Sequence, residues 1–257
     1  MPPRVSVIVA SYNRCRFLGE ALASVRRQTF EDWECLVADD GSSDGTLLLL
    51  EETAGNDGRV RALPGAHCGL LGRVRNRALR EARGSLIAFL DDDDIWLPRK
   101  IELQVRLLDA EPDVGLCFAR AVRFGDACGV FPRSGTPQRP AFERLWKGNF
   151  IPCSTVLLPR AVFDSVGEFD ESLQVAQDYD LWLRVARIAP IRFQSEILCR
   201  YRVHAAAMSA DRALEAEALE GIYERLAAQW RLPARFWRAG RRHVRRFRRR
   251  NTVAFLL

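Results

Sequence analysis

The sequence predicts an α/β fold, a mostly parallel central sheet flanked by helices, with a helical C-terminal extension. Three observations carry that prediction. Short unbroken apolar runs at Val5–Ala10, Trp33–Ala38 and Leu86–Leu90 read as strands buried on both faces. Strand, polar loop and helix-spaced segment follow one another four times in the first part of the chain. That alternation builds a parallel sheet with helices on both sides. Finally, ten arginines fall between Arg231 and Arg250, in a stretch with no acidic residue, so the close of the chain differs in kind from the rest.

The elements follow in order. Val5–Ala10 runs into the polar loop Ser11-Tyr12-Asn13-Arg14. Phe17–Gln28 has helical spacing, with Leu18, Leu22 and Val25 on one face. Trp33–Ala38 runs straight into Asp39-Asp40-Gly41-Ser42-Ser43-Asp44-Gly45-Thr46, where Asp44 or Thr46 suits the cap of the next helix. Val60–Leu63 is a third short strand and Gly72–Ala82 an arginine-studded helix. After Leu86–Leu90 comes Asp91-Asp92-Asp93-Asp94, and then a helix from Pro98 to about Asp109. Short strands are expected at Val114–Phe118, Ala121–Phe124 and Ser154–Leu158, with a loop over Cys128–Pro140 and a short helix over Arg160–Val166. A helix starts at Gln177, with acids in its first turn and Leu181, Trp182 and Val185 facing inward. Ile191–Phe193 and Ile197–Val203 read as extended, and the chain from Ala205 onward as amphipathic helix.

Composition narrows the function. No apolar run approaches the ~20 residues needed to span a bilayer, and the opening Met-Pro-Pro-Arg-Val-Ser-Val lacks the pattern of a secretory signal. Seven scattered cysteines without a Cys-x-x-Cys pair suit a reducing cytoplasm better than a zinc site or disulfide framework. The net charge of +6 belongs to the last segment; without it the remainder is slightly acidic. Neither a Gly-x-Gly-x-x-Gly nor a P-loop is present, which disfavours dinucleotide and Walker-type sites.

The two acidic loops both lie at strand carboxyl ends, where open α/β sheets bind ligands. Adjacent carboxylates about 4 Å apart repel by roughly 4 kcal/mol at an effective dielectric of 20. Four in a row therefore need water or a cation. In extended backbone Asp91 and Asp93 point to one side, a spacing that suits Mg²⁺ or Mn²⁺. A solvated turn with Asp94 capping the next helix accounts for the same residues.

Seven pieces, in order, make the chain resemble the family 2 glycosyltransferases, inverting enzymes of the GT-A nucleotide-diphospho-sugar transferase fold. They are Val5-Ser-Val-Ile-Val-Ala-Ser-Tyr-Asn13, Asp39-Asp-Gly-Ser-Ser-Asp-Gly-Thr46, Arg75-Asn76, Phe89-Leu-Asp-Asp-Asp-Asp94, Gly167-Glu-Phe-Asp-Glu171, Gln177-Asp-Tyr-Asp-Leu-Trp-Leu-Arg184 and Tyr201-Arg-Val-His204. The resemblance covers about residues 4–205. It implies a GT-A domain over 1–205, with a nucleotide-binding half (1–110) and an acceptor-binding half (111–205), followed by the arginine-rich extension 206–257.

The resemblance implies roles residue by residue. Asp40 would accept a hydrogen bond from the base of a nucleotide, usually uridine, with Asp39 beside it and Ser11 lining the same pocket; a turn cap is the other reading of Asp39. Arg75 would hold the pyrophosphate through its planar fork of donors, against a solvated helix face. Arg73 and Arg77 are expected in solvent. Asp91 would reach the ribose or the metal's waters and Asp93 would bind the cation, leaving Asp92 and Asp94 solvent-facing or capping. Asp178 would be the base, provided burial offsets the pKa-lowering helix terminus. Here the chain departs from the family, because the usual glutamate before that aspartate is Gln177. Gln177, Trp182 and His204 are further candidates for acceptor or diphosphate contact, with core packing competing for Trp182 and a structural role for His204.

The expectation is thus a metal-dependent (Mg²⁺ or Mn²⁺) hexosyl-type transferase, acting in the cytoplasm on a UDP-linked or other nucleotide sugar and a glycan or lipid-linked acceptor, as in polysaccharide biosynthesis. The rival is a non-catalytic nucleotide-sugar-binding scaffold on the same fold; a nucleotidyltransferase would need a glycine-rich loop after the first strand. Phe236, Trp237, Val244, Phe247 and Val253-Ala-Phe-Leu-Leu257 interleave with the arginines, which suits an anionic membrane surface. No nucleic-acid partner is expected.

Overall fold

The computed structural model describes residues 1–132, 135–204 and 211–252, with side chains described as far as Arg248 in the last span. The start of the C-terminal helical region at Ala205 and the apolar close at Val253–Leu257 lie outside the described residues. The first half alternates regularly: β1 (Val5–Ser11), α1 (Cys15–Arg26), β2 (Trp33–Asp39), α2 (Thr46–Asn56), β3 (Val60–Pro64), α3 (Leu71–Glu81) and β4 (Leu86–Asp91). The second half is less regular. It runs through β5 (Ile95–Trp96), α4 (Lys100–Ala110), β6 (Leu116–Gly125), β7 (Gly129–Phe131), α5 (Phe142–Leu145), a 3₁₀ turn at Cys153–Thr155, β8 (Leu157–Pro159) and α6 (Val162–Val166). Then come α7 (Gln177–Ile188), β9 (Ile191–Val203), α8 (Arg212–Gln229) and α9 (Ala234–Thr252).

One sheet runs β3-β2-β1-β4-β8-β6-β9-β5, with β7 on the free side of β6. Its first four strands are mutually parallel. β8 is antiparallel to both β4 and β6, while β6 and β9 run parallel. The strand order reverses between β1 and β4, which makes their carboxyl ends the topological switch point. Register sets the site at this place: Ser11 lies opposite Asp39 on β2, and Ala10 opposite Asp91 on β4.

Period-two alternation sends successive residues of these strands to opposite faces, and burial of both faces explains why they are mostly apolar. On β1, Ile8 and Ala10 join one core with Val74, Trp182 and Leu226, whereas Val5, Val7 and Val9 join a second with Leu18, Leu22 and Ile101. β4 divides likewise, Ile87 and Phe89 to one side and Leu86, Ala88 and Leu90 to the other. Both faces are covered by helices, and the buried polar residues Ser6 and Glu34 are accommodated by the 2.7 Å hydrogen bond that the Ser6 hydroxyl donates to the Glu34 carboxylate.

Several expectations are corrected. The two short strands expected around 114–124 form the single strand β6, and those at 191–203 the single strand β9, because each pairs continuously with the other apart from a bulge at Ala119–Ala121. Ser154 lies in the 3₁₀ turn and only Leu157–Pro159 is strand, and the loop expected over 128–140 contains β7. α4 starts at Lys100 with Arg99 at its N-cap, so Asp94 caps no helix. The aromatic side of α9 does not face outward. Phe236 and Val244 are buried in the first core, with Trp237 and Phe247 packed against it. Trp146 anchors the contact by donating its indole N–H to the Phe236 carbonyl at 2.9 Å. Arg238, Arg241, Arg242, Arg245, Arg246 and Arg248 remain on the exposed side.

Candidate active site

A cavity of about 500 Å³ opens at the switch point. Ser11, Tyr12 and Asp40 line it from the ends of β1 and β2, Arg75 from α3, Asp91–Asp93 from the end of β4, and Gln177 and Asp178 from the start of α7. Thus most of the residues singled out in the sequence meet in one place.

At one end, Asp40 is held by the loop that leads into α3. Its two carboxylate oxygens accept from the backbone N–H groups of Cys68 (3.0 Å) and Gly69 (2.9 Å), and His67 Nδ1 lies 2.9 Å from one of them. Burial works against the Asp40 charge, but those N–H groups and His67 hold its carboxyl below the ordinary carboxylate range. A carboxylate offers about four lone-pair sites, so capacity for a ligand N–H remains. Tyr12 stacks on His67 with ring centroids 4.0 Å apart, giving this end a flat aromatic wall. Asp39 is fully buried and turns the chain, accepting from Gly41 N at 3.0 Å and Ser42 N at 2.9 Å. Asp39 does not line the cavity; its contribution is to shape the loop beside Asp40.

In the middle lies Arg75. It is 4% exposed and donates to Asp91 Oδ1 at 2.5 Å. Burial disfavours its charge, but the fields of Cys153, Asp91 and Asp178 overcome this and bind its proton more firmly than usual. A guanidinium this enclosed, facing two carboxylates, ties the β4 acids to α7. Arg73 is exposed as expected, but Arg77 is not: its guanidinium donates to the carbonyls of Asp39 and Leu63, at 2.6 and 3.0 Å. Arg77 thereby fastens the ends of β2 and β3, a role that helix spacing alone could not show.

The four aspartates separate, although not as the sequence suggested. Asp91 and Asp93 face the cavity, and so does Asp92. Burial and the neighbouring Asp93 push Asp92 up to about 7, while the Ser11 hydroxyl opposes the shift. Asp94 is fully buried rather than solvent-facing, accepting from Arg202 N at 2.8 Å; burial, then Asp91 and Asp93, raise its pKa well above the ordinary range. The correction has a physical cause, since the end of β9 folds over the loop. Arg202 also donates through Nε to the Asp93 carbonyl, and His204 Nε2 lies 2.8 Å from Asp93 Oδ2.

At the far end, Asp178 sits in the first turn of α7 behind Ala176, whose backbone is left-handed (φ 58°, ψ 17°). Asn149 Nδ2 approaches Asp178 Oδ2 at 3.4 Å. Burial raises the Asp178 pKa above the usual carboxylate value, against the pull of Arg75 and its own helix N–H groups. The buried amide of Gln177 lines the cavity as well. Trp182, by contrast, is fully enclosed in the first core near Phe89, with ring centroids 6.0 Å apart, and lies away from the cavity. Its position at i+4 from Asp178 follows the helix, but the face it occupies belongs to the sheet.

Sequence reasoning missed His67, Asn149, Glu215 and His243 and gave Phe247 to a membrane-facing tail, yet all five line the cavity. No local pattern marks them. They arrive on loops and C-terminal helices whose approach only the tertiary fold defines.

Among the described residues no three His, Cys, Asp or Glu side chains converge as a ready-made metal centre. The chemistry of the donor set nevertheless fits a hard divalent cation completed by ligand oxygens. Asp91 and Asp93 are oxygen donors on one cavity wall, and burial followed by the Asp91 charge raises the Asp93 pKa, the mark of crowded negative charge.

The fold is a GT-A-like architecture with its cleft at the switch point. Residues 6–167 match the family described as Glycosyl transferase family 2. The chain belongs to that family. It is 32% identical over 185 residues to the Escherichia coli UDP-Glc:alpha-D-GlcNAc-diphosphoundecaprenol beta-1,3-glucosyltransferase WfgD, covering 71% of this chain and 70% of that protein. An uncharacterised glycosyltransferase of Rickettsia felis is 32% identical over 211 residues, or 79% of this chain, which spans only 34% of that longer protein. Among solved structures, Staphylococcus aureus TarS 1–349 with UDP-GlcNAc superposes with a TM-score of 0.75 at 21% identity, covering 87% of this chain and 66% of that one. A mannosyltransferase of Pyrobaculum calidifontis, PcManGT, in complex with GDP-Man and Mn²⁺, gives 0.72 at 22% identity over 89% and 65%. These structural likenesses establish the fold.

Proposed function

We propose that the protein is an inverting glycosyltransferase that moves a sugar from a nucleotide diphosphate, UDP foremost, to a hydroxyl of a glycan or lipid-linked acceptor. The observation that carries this reading is the grouping of Asp178, Arg75 and Asp91 on one cavity, where burial raises the Asp178 pKa. The relative WfgD, named for a UDP-Glc donor and a GlcNAc-diphosphoundecaprenol acceptor, supports the donor and acceptor classes.

The base stacks at the Tyr12–His67 end and donates an N–H to Asp40, with Ser11 beside it. Arg75 meets the diphosphate as a fixed, charged donor. Asp93 and Asp91 would hold Mg²⁺ or Mn²⁺, whose chemistry is to neutralise the diphosphate and stabilise charge on the leaving group. His204 keeps Asp93 oriented. On the opposite side Asp178 takes the proton of the acceptor hydroxyl as that oxygen attacks the anomeric carbon, and the nucleoside diphosphate departs with the bonding pair.

Replacing Asp178 with Asn should remove transfer while leaving UDP–Mn²⁺ binding within about twofold, measured by thermal shift. Near-normal turnover would refute the assignment. Gln177 favours the second reading, a nucleotide-sugar-binding scaffold: a wild type that binds UDP–Mn²⁺ yet turns over no donor would establish it.

The exposed arginines of α9 suit electrostatic contact with an anionic bilayer, rather than insertion, because the apolar side of the helix is used in the core. Vesicle flotation with acidic lipids should weaken when Arg238, Arg241, Arg242, Arg245 and Arg246 become Gln, a change that spares the buried Phe236 and Val244. Unchanged flotation would remove the membrane from the reading. Among the described residues no helix is long and apolar enough to cross a membrane.

A further inference from the structure

The cavity continues past Asp178. Beyond the start of α7 its wall is made by Glu215 and Leu219 of α8, His243 and Phe247 of α9, and Phe131 of β7. One buried polar atom there lacks the partner that burial normally demands, and one half-buried carboxyl faces the cavity beside it. Gln177 is 4% exposed, and its Oε1 has no hydrogen-bond partner. The Glu215 carboxyl is half-buried and accepts no hydrogen bond from any described residue. Its surroundings are low dielectric, the Arg212 charge and the Asp178 charge; burial, with Asp178 adding and Arg212 opposing, pushes it up to about 7.

The rest of the wall is rigid. The Tyr179 hydroxyl donates to the Leu145 carbonyl at 2.7 Å, so its oxygen accepts from Tyr223 OH at 2.8 Å. The Tyr223 oxygen in turn accepts from His243 Nδ1 at 2.7 Å, which assigns the proton of that ring to Nδ1. A Cβ at Gly148 (φ 149°) would stand 3.0 Å from His243 Nε2, so the loop after α5 approaches the imidazole closely because it has no side chain there.

We propose that this end of the cavity is a pyranose-binding acceptor subsite, in which Glu215 accepts hydrogen bonds from the acceptor's hydroxyls beside Asp178. It rests on the reading of Asp178 as the base. A pyranose presents hydroxyl donors at its edge and C–H groups on its faces. The complementary surface is a carboxyl that bound hydroxyl donors hold in its ionised, accepting form, next to aromatic and apolar side chains, and Glu215 with Phe247, Phe131 and Leu219 supplies it. Residue 177 is a glutamine, which offers only a neutral carbonyl oxygen as acceptor. The carboxylate therefore comes from α8 instead, and the C-terminal helices become part of the acceptor site.

The test uses the full-length protein with Mn²⁺ and UDP-glucose, UDP-GlcNAc or GDP-mannose as donor. The acceptors are methyl α- and β-glycosides of glucose, GlcNAc, galactose and mannose, and decyl-diphospho-GlcNAc. Glu215→Gln should raise the acceptor KM about tenfold or more, the scale of a lost charge-assisted hydrogen bond, with UDP affinity within twofold. Adding Gln177→Glu to that variant should recover at least part of the KM, which a merely structural role for Glu215 would not allow. An unchanged acceptor KM, or a UDP affinity that falls in step with it, overturns the subsite alone. Donor turnover to water with no sugar of the panel accepted also counts against it. A wild type that binds UDP but turns over no donor overturns the base assignment, and the subsite falls with it.

Discussion

Lys100 is fully buried at the start of α4, directly after the acidic loop, and its charge should leave a pH signature on stability. The ammonium donates to Gln104 Oε1 at 2.7 Å and to the Val156 carbonyl at 3.2 Å, and it lies 4.1 Å from the Trp96 ring centroid. No carboxylate pairs with it among the described residues, and burial pushes its pKa from 10.5 down to about 7. Because the folded pKa is depressed, the unfolded chain binds more protons between about pH 7 and 10.5, so this group's contribution to stability rises with pH across that window. Below pH 7 both states carry the proton and the penalty is complete, about 5 kcal/mol at 1.36 kcal/mol per unit. Lys100→Met removes the penalty together with two hydrogen bonds and a cation–π contact, worth about 1–2 kcal/mol each. At pH 6 the net should therefore lie between about 2 kcal/mol in favour of the variant and about 1 kcal/mol against it. Between pH 7 and 9 the difference should move against the variant by about 1.4 kcal/mol per unit. Urea midpoints of both proteins at pH 6, 7, 8 and 9 measure this directly, and the difference between them cancels the cysteines that titrate above pH 8. A difference that stays flat over the range would refute the reasoning.

Three further outcomes follow from the site and core. Since burial raises the Asp178 pKa and only its ionised form accepts a proton, transfer should fail on acidification at a pH above the ordinary carboxylate range; a kcat/KM profile flat down to pH 4.5 would contradict this. Arg75→Met leaves Asp91 and Asp178 facing each other unpaired and should cost about 3–5 kcal/mol in denaturant unfolding, with donor affinity lost as well. Trp182→Ala should cost about 3–5 kcal/mol through the cavity it leaves, whereas Trp182→Phe should retain UDP affinity, as expected of a core residue outside the cleft.

The strands at Val5, Trp33 and Leu86 were legible because a short apolar run is a property of neighbouring residues, and the two cores take its successive side chains in turn. Asp178 was legible as a first-turn acid, and the acidic loops as strand ends. Arg77 was misplaced because its partners, the Asp39 and Leu63 carbonyls, lie on two other strands. Asp94 was misplaced because the residues that bury it come from the end of β9. Trp182 looked eligible for the pocket because helical spacing places it one turn from Asp178, but spacing does not say which face meets the sheet.

By itself the sequence determined the strand–helix alternation and the family motifs, and it singled out Asp40, Arg75, Asp91, Asp93 and Asp178, all of them within short spans, which the structure brings to one cavity. The tertiary structure alone decided which acids share the cavity, that Asp94 is enclosed, and that Glu215, His243 and Phe247 close the far end. Those outcomes depend on sheet register and on the docking of β9, α8 and α9, contacts between segments far apart in the chain. Burial and charge at such contacts come from partners that no local window contains.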